Sequence, residues 1–483
     1  MRLGVKHQNQ FQIVHADFSG GLNTSTSVDG IAENQLARAT NVEVDHATGK
    51  LKTVAGTIDV LKVENLFGAA YDEINKKFLL VDKAKLVYVF DHKTNALSNA
   101  IGVLSGTLYP ICTSWEDGLL IASGGKLQYF NGIELITITD SPNASSVYVR
   151  AGRILITDEN NIHYSGVGDE TNWVEETNDD SSAKFIEAGY KDGGKLLAMV
   201  NLSSDVLIIK NNRRVYRLSG EYPDWQMNEI SRNVEASGRL SVCAVASSVF
   251  VLGRNELQNI QTTADYGDMK PQNVATLIER ELANLPENAL LRYVPSLSQI
   301  WAISGTVALM FDLVTQSWYK RQFNSQVLDV ITVEDEVYII KPDRVSKLNE
   351  ASFFDSGEAL VWNLQCKRRI SHYDYFLKHT AISYTPLNEN FSRGQVRAGA
   401  VVVDLPLPNG RNLNGRRQFI FSKGERIYRN YDLIYGNLQP IFNRPTIIAE
   451  NRNVYRSKIL DITGRGSAGG MVFNSITLDL VEV

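Results

Sequence analysis

The residues able to do chemistry in this 483-residue chain are scattered rather than grouped. Seven histidines, His7, His15, His46, His92, His163, His372 and His379, include none paired with another histidine or a cysteine at zinc-ligand spacing. No phosphate loop ends in Lys-Ser/Thr, and no Gly-x-Ser-x-Gly elbow offers a serine nucleophile. Asp179-Asp180 and Asp335-Glu336 are adjacent carboxylates. Neighbours on a strand point to opposite faces, so they read as solvated turn or rim charges rather than acid/base couples. Cys112, Cys243 and Cys366 are odd in number and far apart, which predicts buried free thiols and no disulfide framework. The remaining chemistry is basic: Lys367-Arg368-Arg369, then Arg416-Arg417 with Arg411 and Arg426 nearby. Such groups are candidate phosphate or partner contacts, because displacing counterions drives binding without reading sequence. The competing reading is solubilising charge at strand ends, and nothing near them resembles a base-reading module. No catalytic residue, cofactor or metal ligand is assigned, and the expectation is a non-enzyme. A propeller hydrolase would draw its acids from different blades and leave no local motif, so a polysaccharide hydrolase or lectin stands as the alternative.

The elements that would carry these residues repeat. Seven times between Phe78 and Ile340 a short apolar run, a polar turn and a second apolar run recur: Phe78–Val81, Leu119–Ile121, Ile154–Ile156, Val206–Ile209, Val249–Leu252, Ile300–Ile303 and Val337–Ile340. Each step has room for about four short strands, the content of one propeller blade. The first run of each unit is apolar on both faces, as expected of a covered strand, and the next alternates. The pattern predicts an all-β chain: an irregular six- or seven-bladed β-propeller over 61–354 and a smaller β domain, a sandwich or extra sheet, over 355–483. An N-terminal segment, 1–60, would supply a short helix at Ile31–Thr40, a hairpin at Asn41–Val54 and possible closure of the ring. Within the propeller, Gly166–Asp192 reads as a long acidic surface loop. Pro271–Leu285 reads as a helix on the spacing of Val274, Leu277, Ile278 and Leu282. In the sixth unit Trp318-Tyr319 offers large area for locking sheets together.

The net charge of −5 divides unevenly. Residues 355–483 hold 17 Lys/Arg against 11 Asp/Glu, a net of +6, which leaves −11 for 1–354. Different partners for the two regions would explain this, although both values are modest for domains of these sizes. Apolar stretches stop at four or five residues, against the ~20 a membrane helix needs. Met1 to Phe18 is polar with no signal-peptide core, so a cytosolic protein is the default expectation.

One resemblance spans most of the chain. Phe18-Ser19-Gly20-Gly21-Leu22-Asn23, then Asn41 before a hairpin, Gly49-x-Leu51 and Gly56, resembles the start of short-tailed phage tail nozzle proteins, also called tail hub or packaged-DNA stabilisation proteins. Many such openings carry arginine just after the leucine, where this chain has Lys52. Asn212–Ser219, Val234–Val251 and Met310–Tyr319 are similar in order and pattern to later segments of that family, as is the β region from Leu360–Arg369 to Val483. The resemblance implies a virion protein of the tail, made in the host cytoplasm. It implies a homo-oligomeric ring, most often of six copies, that extends and closes the DNA channel and retains packaged DNA until ejection. Its implied partners are an adaptor or head-to-tail connector above, tail fibre, tailspike or needle proteins below, and double-stranded DNA passing without sequence specificity. An acidic main domain suits such a lumen, since each phosphate neutralised by a positive wall would add to the hold on DNA.

Overall fold

A computed structural model describes residues 9–46, 48–262, 269–285, 289–387, 394–405, 418–420, 446–452, 454–467 and 469–482. The chain forms two compact units, one of 59–308 with 325–348, the other of 1–58, 309–324 and 349–483.

The first unit is a β-propeller with seven blades among the described residues. Blades 1 to 5 are four-stranded antiparallel sheets in chain order, the first being Leu66–Asp72, Lys77–Asp82, Leu86–Asp91 and Ala96–Val103. Blade 6 gives its inner strands, Leu290–Val294 and Gln299–Ser304, to this unit. Blade 7 is Asp329–Val333, Glu336–Lys341 and Arg344–Asn349, completed on its outer side by Gly56–Lys62. Each innermost strand packs beside the next, and Asp329–Val333 returns to Leu66–Asp72, which closes the ring. The chain thus has the higher of the two expected blade numbers, and the N-terminal segment supplies the closing strand.

The seven apolar runs are the second strands of the seven blades. Their two apolar faces have a plain cause, because each second strand is sandwiched between neighbouring blades. Phe78 and Leu80 pack towards blade 7, against Tyr338 and Ile340, while Leu79 and Val81 pack towards blade 2, against Leu119 and Ile121. Leu120 and Ala122 continue the alternation towards Ile154 and Ile156 of blade 3. At about 25 cal/mol per Å² of apolar area, these shared interfaces are the main store of stability.

Three local expectations are corrected. Ile31–Thr40 is not helical: Gln35–Thr40 is a strand antiparallel to Val361–Cys366, and pairing with that distant strand overrides local helix preference. Pro271–Leu285 holds only a five-residue helix, Glu279–Ala283. Pro271 itself lies in Met269–Asn273, the outermost strand of blade 5, where a missing N–H is tolerated. Gly166–Asp192 is a loop only in part, since Lys184–Glu187 is the outer strand of blade 3. The remaining loop, 165–183, is tied down by Arg153, which is fully buried and has no carboxylate partner among the described residues. Its guanidinium donates to the carbonyls of Ser165 at 2.6 Å, Ser182 at 2.8 Å and Asp180.

The second unit joins the N-terminal segment to the C-terminal region and also takes 309–324, a division the sequence periodicity does not reveal. One sheet runs Gln35–Thr40, Val361–Cys366, Ile462–Ser467, Gly394–Ala398 and Val401–Leu405. In the other, Met471–Glu482 and Arg369–Pro386 pair along most of their length, with Asn9–His15 also on Met471–Glu482. Trp362 of one sheet and Phe473 of the other meet edge to face, 5.2 Å apart. The expected hairpin is present as Val42–Asp45 and Lys50–Thr53.

The motif residues of the N-terminal segment serve this unit's backbone. Gly21 has φ +60°, and a Cβ there would fall 2.7 Å from Ser317 Cβ and 2.8 Å from the Trp318 carbonyl oxygen. At Gly56 a Cβ would lie 2.5 Å from the Phe354 carbonyl oxygen. Asn41, at φ 54°, donates from its side chain to the Val361 carbonyl and accepts from the Gln322 N–H, both at 2.8 Å, while its own N–H reaches the Lys320 carbonyl. We expect Asn41→Gly to cost about 2 kcal/mol through the two lost side-chain bonds. Asn41→Ala should cost about 1 kcal/mol more, because Cβ disfavours a left-handed backbone. Denaturant unfolding of both variants measures the difference.

Candidate functional site at the propeller axis

A charged residue inside an innermost strand is the local anomaly that marks this site. Arg292 interrupts the apolar run Leu290–Val294, and Asp329 opens Asp329–Val333. They form a two-pronged ion pair, Arg292 Nε to Asp329 Oδ1 at 2.7 Å and Nη2 to Oδ2 at 3.1 Å. Tyr109, in the loop entering blade 2, donates its hydroxyl to Asp329 Oδ2 at 2.6 Å and accepts the Ala69 N–H at 3.2 Å. Arg239, in the loop entering blade 5, donates to the carbonyls of Ser145, with Nε at 3.0 Å, and Tyr109 at 3.3 Å. In a seven-membered ring the entry loop of blade 5 lies three blades from that of blade 2 and two from that of blade 3, so Arg239 reaches across the ring near its axis. Side chains therefore bridge the bore of the propeller.

The electrostatics suit a plug. Burial works against the charge of Arg292, but the charge and hydrogen bonds of Asp329 outweigh it and hold the guanidinium above its ordinary value. Burial, then the Asp329 charge, pushes the Tyr109 phenol well above its usual range. Arg239 has no carboxylate partner among the described residues, and burial pulls it down to about 10. Cys112 and Cys243, both free and on inner strands, are pushed up to about 12 by burial, with Asp329 adding to the effect on Cys112. Thiols held there are protonated at neutral pH and are poor nucleophiles.

The described inner strands carry two carboxylates, and both are engaged. Asp329 is in the cluster above. Asp72 accepts the N–H groups of Ile74 and Asn75 and the Asn75 side-chain amide. Away from the axis, the turns after the innermost strands of blades 7, 1 and 2 carry exposed Glu334-Asp335, Glu73 and Glu116-Asp117. Glu336 pairs with Lys347 at 2.7 Å. Asp179 accepts from Ser181 and Asp180 pairs with Lys184 at 3.2 Å, so this couple consists of local turn and strand-end charges.

The basic residues singled out in the sequence fall in the second unit. Lys367 reaches Glu33 Oε1 at 3.3 Å, Arg369 pairs with the same carboxylate, and Arg368 reaches Asp461 Oδ2 at 3.4 Å. The Arg368 N–H also donates to the Val28 carbonyl. Glu33 thus ties the start of Arg369–Pro386 to the N-terminal segment, a pairing that no local pattern reveals. Arg411, Arg416, Arg417 and Arg426 lie outside the described residues. Gly464, Gly466 and Gly469 have the spacing of a dinucleotide loop, but the first two sit within the strand Ile462–Ser467, paired on both sides, rather than at a helix start.

No group of His, Cys, Asp and Glu able to hold a metal ion occurs among the described residues, and no described helix is long and apolar enough to cross a membrane. The ring of sheets makes the chain a β-propeller protein with an added β unit. No protein-family model and no curated protein matches the chain. Among solved structures it is similar to BamB from Moraxella catarrhalis, at 8% identity and TM-score 0.41, over 62% of this chain and 90% of that one. It is also similar to the β-propeller domain of Cps50 (Swd1) from Myceliophteria thermophila, at 7% identity and TM-score 0.43, over 62% of this chain and all of that one.

Two outcomes follow from these charges. Asp329→Asn leaves Arg292 unmatched in the ring and should cost about 3 kcal/mol, with part recovered in the Asp329→Asn/Arg292→Met double variant, read by denaturant unfolding. His15 is buried, and desolvation, then the Arg369 charge, lowers its pKa below the usual value. The unfolded chain takes that proton near the ordinary ~6.5 and the folded chain only at lower pH, so stability falls as pH drops through that window. His15→Gln should flatten the fall between about pH 7 and about pH 5 in thermal melts.

Proposed function

We propose that this chain is a structural subunit of the tail nozzle of a short-tailed phage, a ring below the portal and adaptor that extends and closes the DNA channel and retains packaged DNA until ejection. The reading rests on the resemblance carried by Phe18–Asn23, Asn41, Gly49, Leu51 and Gly56. The observation that supports it in the geometry is the bridged axis. A propeller crossed near its axis by Arg239, beside the Arg292–Asp329–Tyr109 cluster, would serve as a block rather than a channel, and a lumen for DNA would lie between copies. The net of −11 over 1–354 suits a wall that DNA must slide past.

One observation favours the rival reading of a polysaccharide hydrolase or lectin, namely the exposed acids on the turns of three adjacent blades. Carboxylates about 5–9.5 Å apart would be required for hydrolysis. Native mass measurement of the full chain, alone and mixed with an adaptor protein of a short-tailed phage, separates the two. Closed rings are expected. A chain that stays monomeric in both mixtures overturns the nozzle reading, and release of oligosaccharide from host surface polysaccharide by the monomer would establish the rival.

A further inference from the structure

Outer strands of the propeller blades are open to pairing with other chains unless something blocks them, and most here are blocked. Leu135–Thr137 is three residues long, Lys184–Glu187 is charged at both ends, and Gln226–Ser231 holds Glu229 in ion pairs with Arg214 and Arg232. Met269–Asn273 contains Lys270 and Pro271, and Gly56–Lys62 contains Asp59, paired with Arg344 at 2.7 Å. The outer strand of blade 1 has none of these blocks, and its one irregularity is a register shift against Leu86–Asp91 between Leu97 and Ala100 and again between Ala100 and Gly102. Ala96–Val103 (ALSNAIGV) is eight residues long, has neither charge nor proline, and pairs on one side only, with Leu86–Asp91. Ala96 to Ala100 are all exposed, and Val103 is 54% exposed. At its far end Gly102 lies against Leu135 of blade 2, next to the exposed Ile133 and Ile136, so an apolar rim flanks the edge.

Among the described residues the second unit has one matching edge. Asn9–His15 (NQFQIVH) pairs on one side with Met471–Glu482, carries no Asp, Glu, Lys, Arg or Pro, and exposes Val14 by 51%. Other edge strands of that unit, such as Val401–Leu405 with Asp404 and Tyr455–Leu460 with Arg456 and Lys458, are charged.

We propose that the open edge of Ala96–Val103 receives the strand Asn9–His15 of a second copy of this chain, which adds a fifth strand to blade 1. Main-chain N–H and C=O groups would supply the affinity, and Leu97, Val103 and the Ile133–Ile136 rim would bury the apolar side chains of the incoming strand. Donor and acceptor edges differ, so the contact is head to tail and generates a ring where the rotation closes. The inference rests on the ring reading above and names the contact that would build it.

Full-length Leu97→Lys and Val14→Lys chains test it, since both sites are exposed and neither change should alter the melting temperature. Each is expected to weaken self-association at least tenfold in sedimentation equilibrium. Mild oxidation of a mixture of Leu97→Cys and Val14→Cys chains should trap the mixed disulfide. Rings that form equally well in both lysine variants, without that cross-link, overturn the contact and leave the ring reading intact. Loss with Leu97→Lys alone overturns the choice of Asn9–His15 as occupant, and a wild-type chain that never associates, with or without the adaptor, overturns both readings.

Discussion

The propeller depends on one act of pairing: the strand Gly56–Lys62, from the beginning of the chain, completes a blade whose other strands come some 270 residues later. Asp59 seals the pairing by accepting from Arg344 at 2.7 Å and from Ser346 at 3.0 Å, and the Val63 N–H reaches the Asp343 carbonyl beyond the strand. Without closure, blades 1 and 7 would lose their common core, where the tilted rings of Phe78 and Tyr338 meet 4.9 Å apart beside Leu80 and Ile340. Every other blade–blade interface can form between sequence neighbours. This one needs both ends of the propeller to be present, so it carries the largest loop-closure entropy and makes the ring cooperative.

What the sequence disclosed follows from that arrangement. A strand sandwiched between two blades must be apolar on both faces, so Leu79, Leu120, Leu155 and Leu207 stood out in their runs, and the repeat was visible without any shared signature. Innermost and outermost strands were harder to see. They are short, mixed in polarity and, in the case of Gln35–Thr40 and Met269–Asn273, stabilised by partners that local propensity does not anticipate. The axial cluster was illegible for a related reason. Arg239, Arg292, Asp329 and Tyr109 come from four separate places, and only the closed ring brings them together. Lys367, Arg368 and Arg369 were legible as a basic cluster, but not as partners of Glu33 and Asp461, which lie hundreds of residues away in one direction and about ninety in the other.

The glycines and asparagine singled out in the N-terminal segment are backbone specialists. Gly21, Gly56 and Asn41 occupy places where a β-carbon collides or a left-handed turn is needed, all within the unit that gathers both chain termini. Packing volumes can be exchanged between neighbouring side chains, whereas a backbone that touches backbone has no substitute.

The tether of the 165–183 loop has a consequence of its own. Arg153 is matched by three carbonyl oxygens rather than by a carboxylate, and a peptide oxygen has no proton to gain or lose across the range in which proteins fold. That tether does not titrate, so the anchorage of the loop to Arg153 is independent of the charge carried by the acids on the loop's outside.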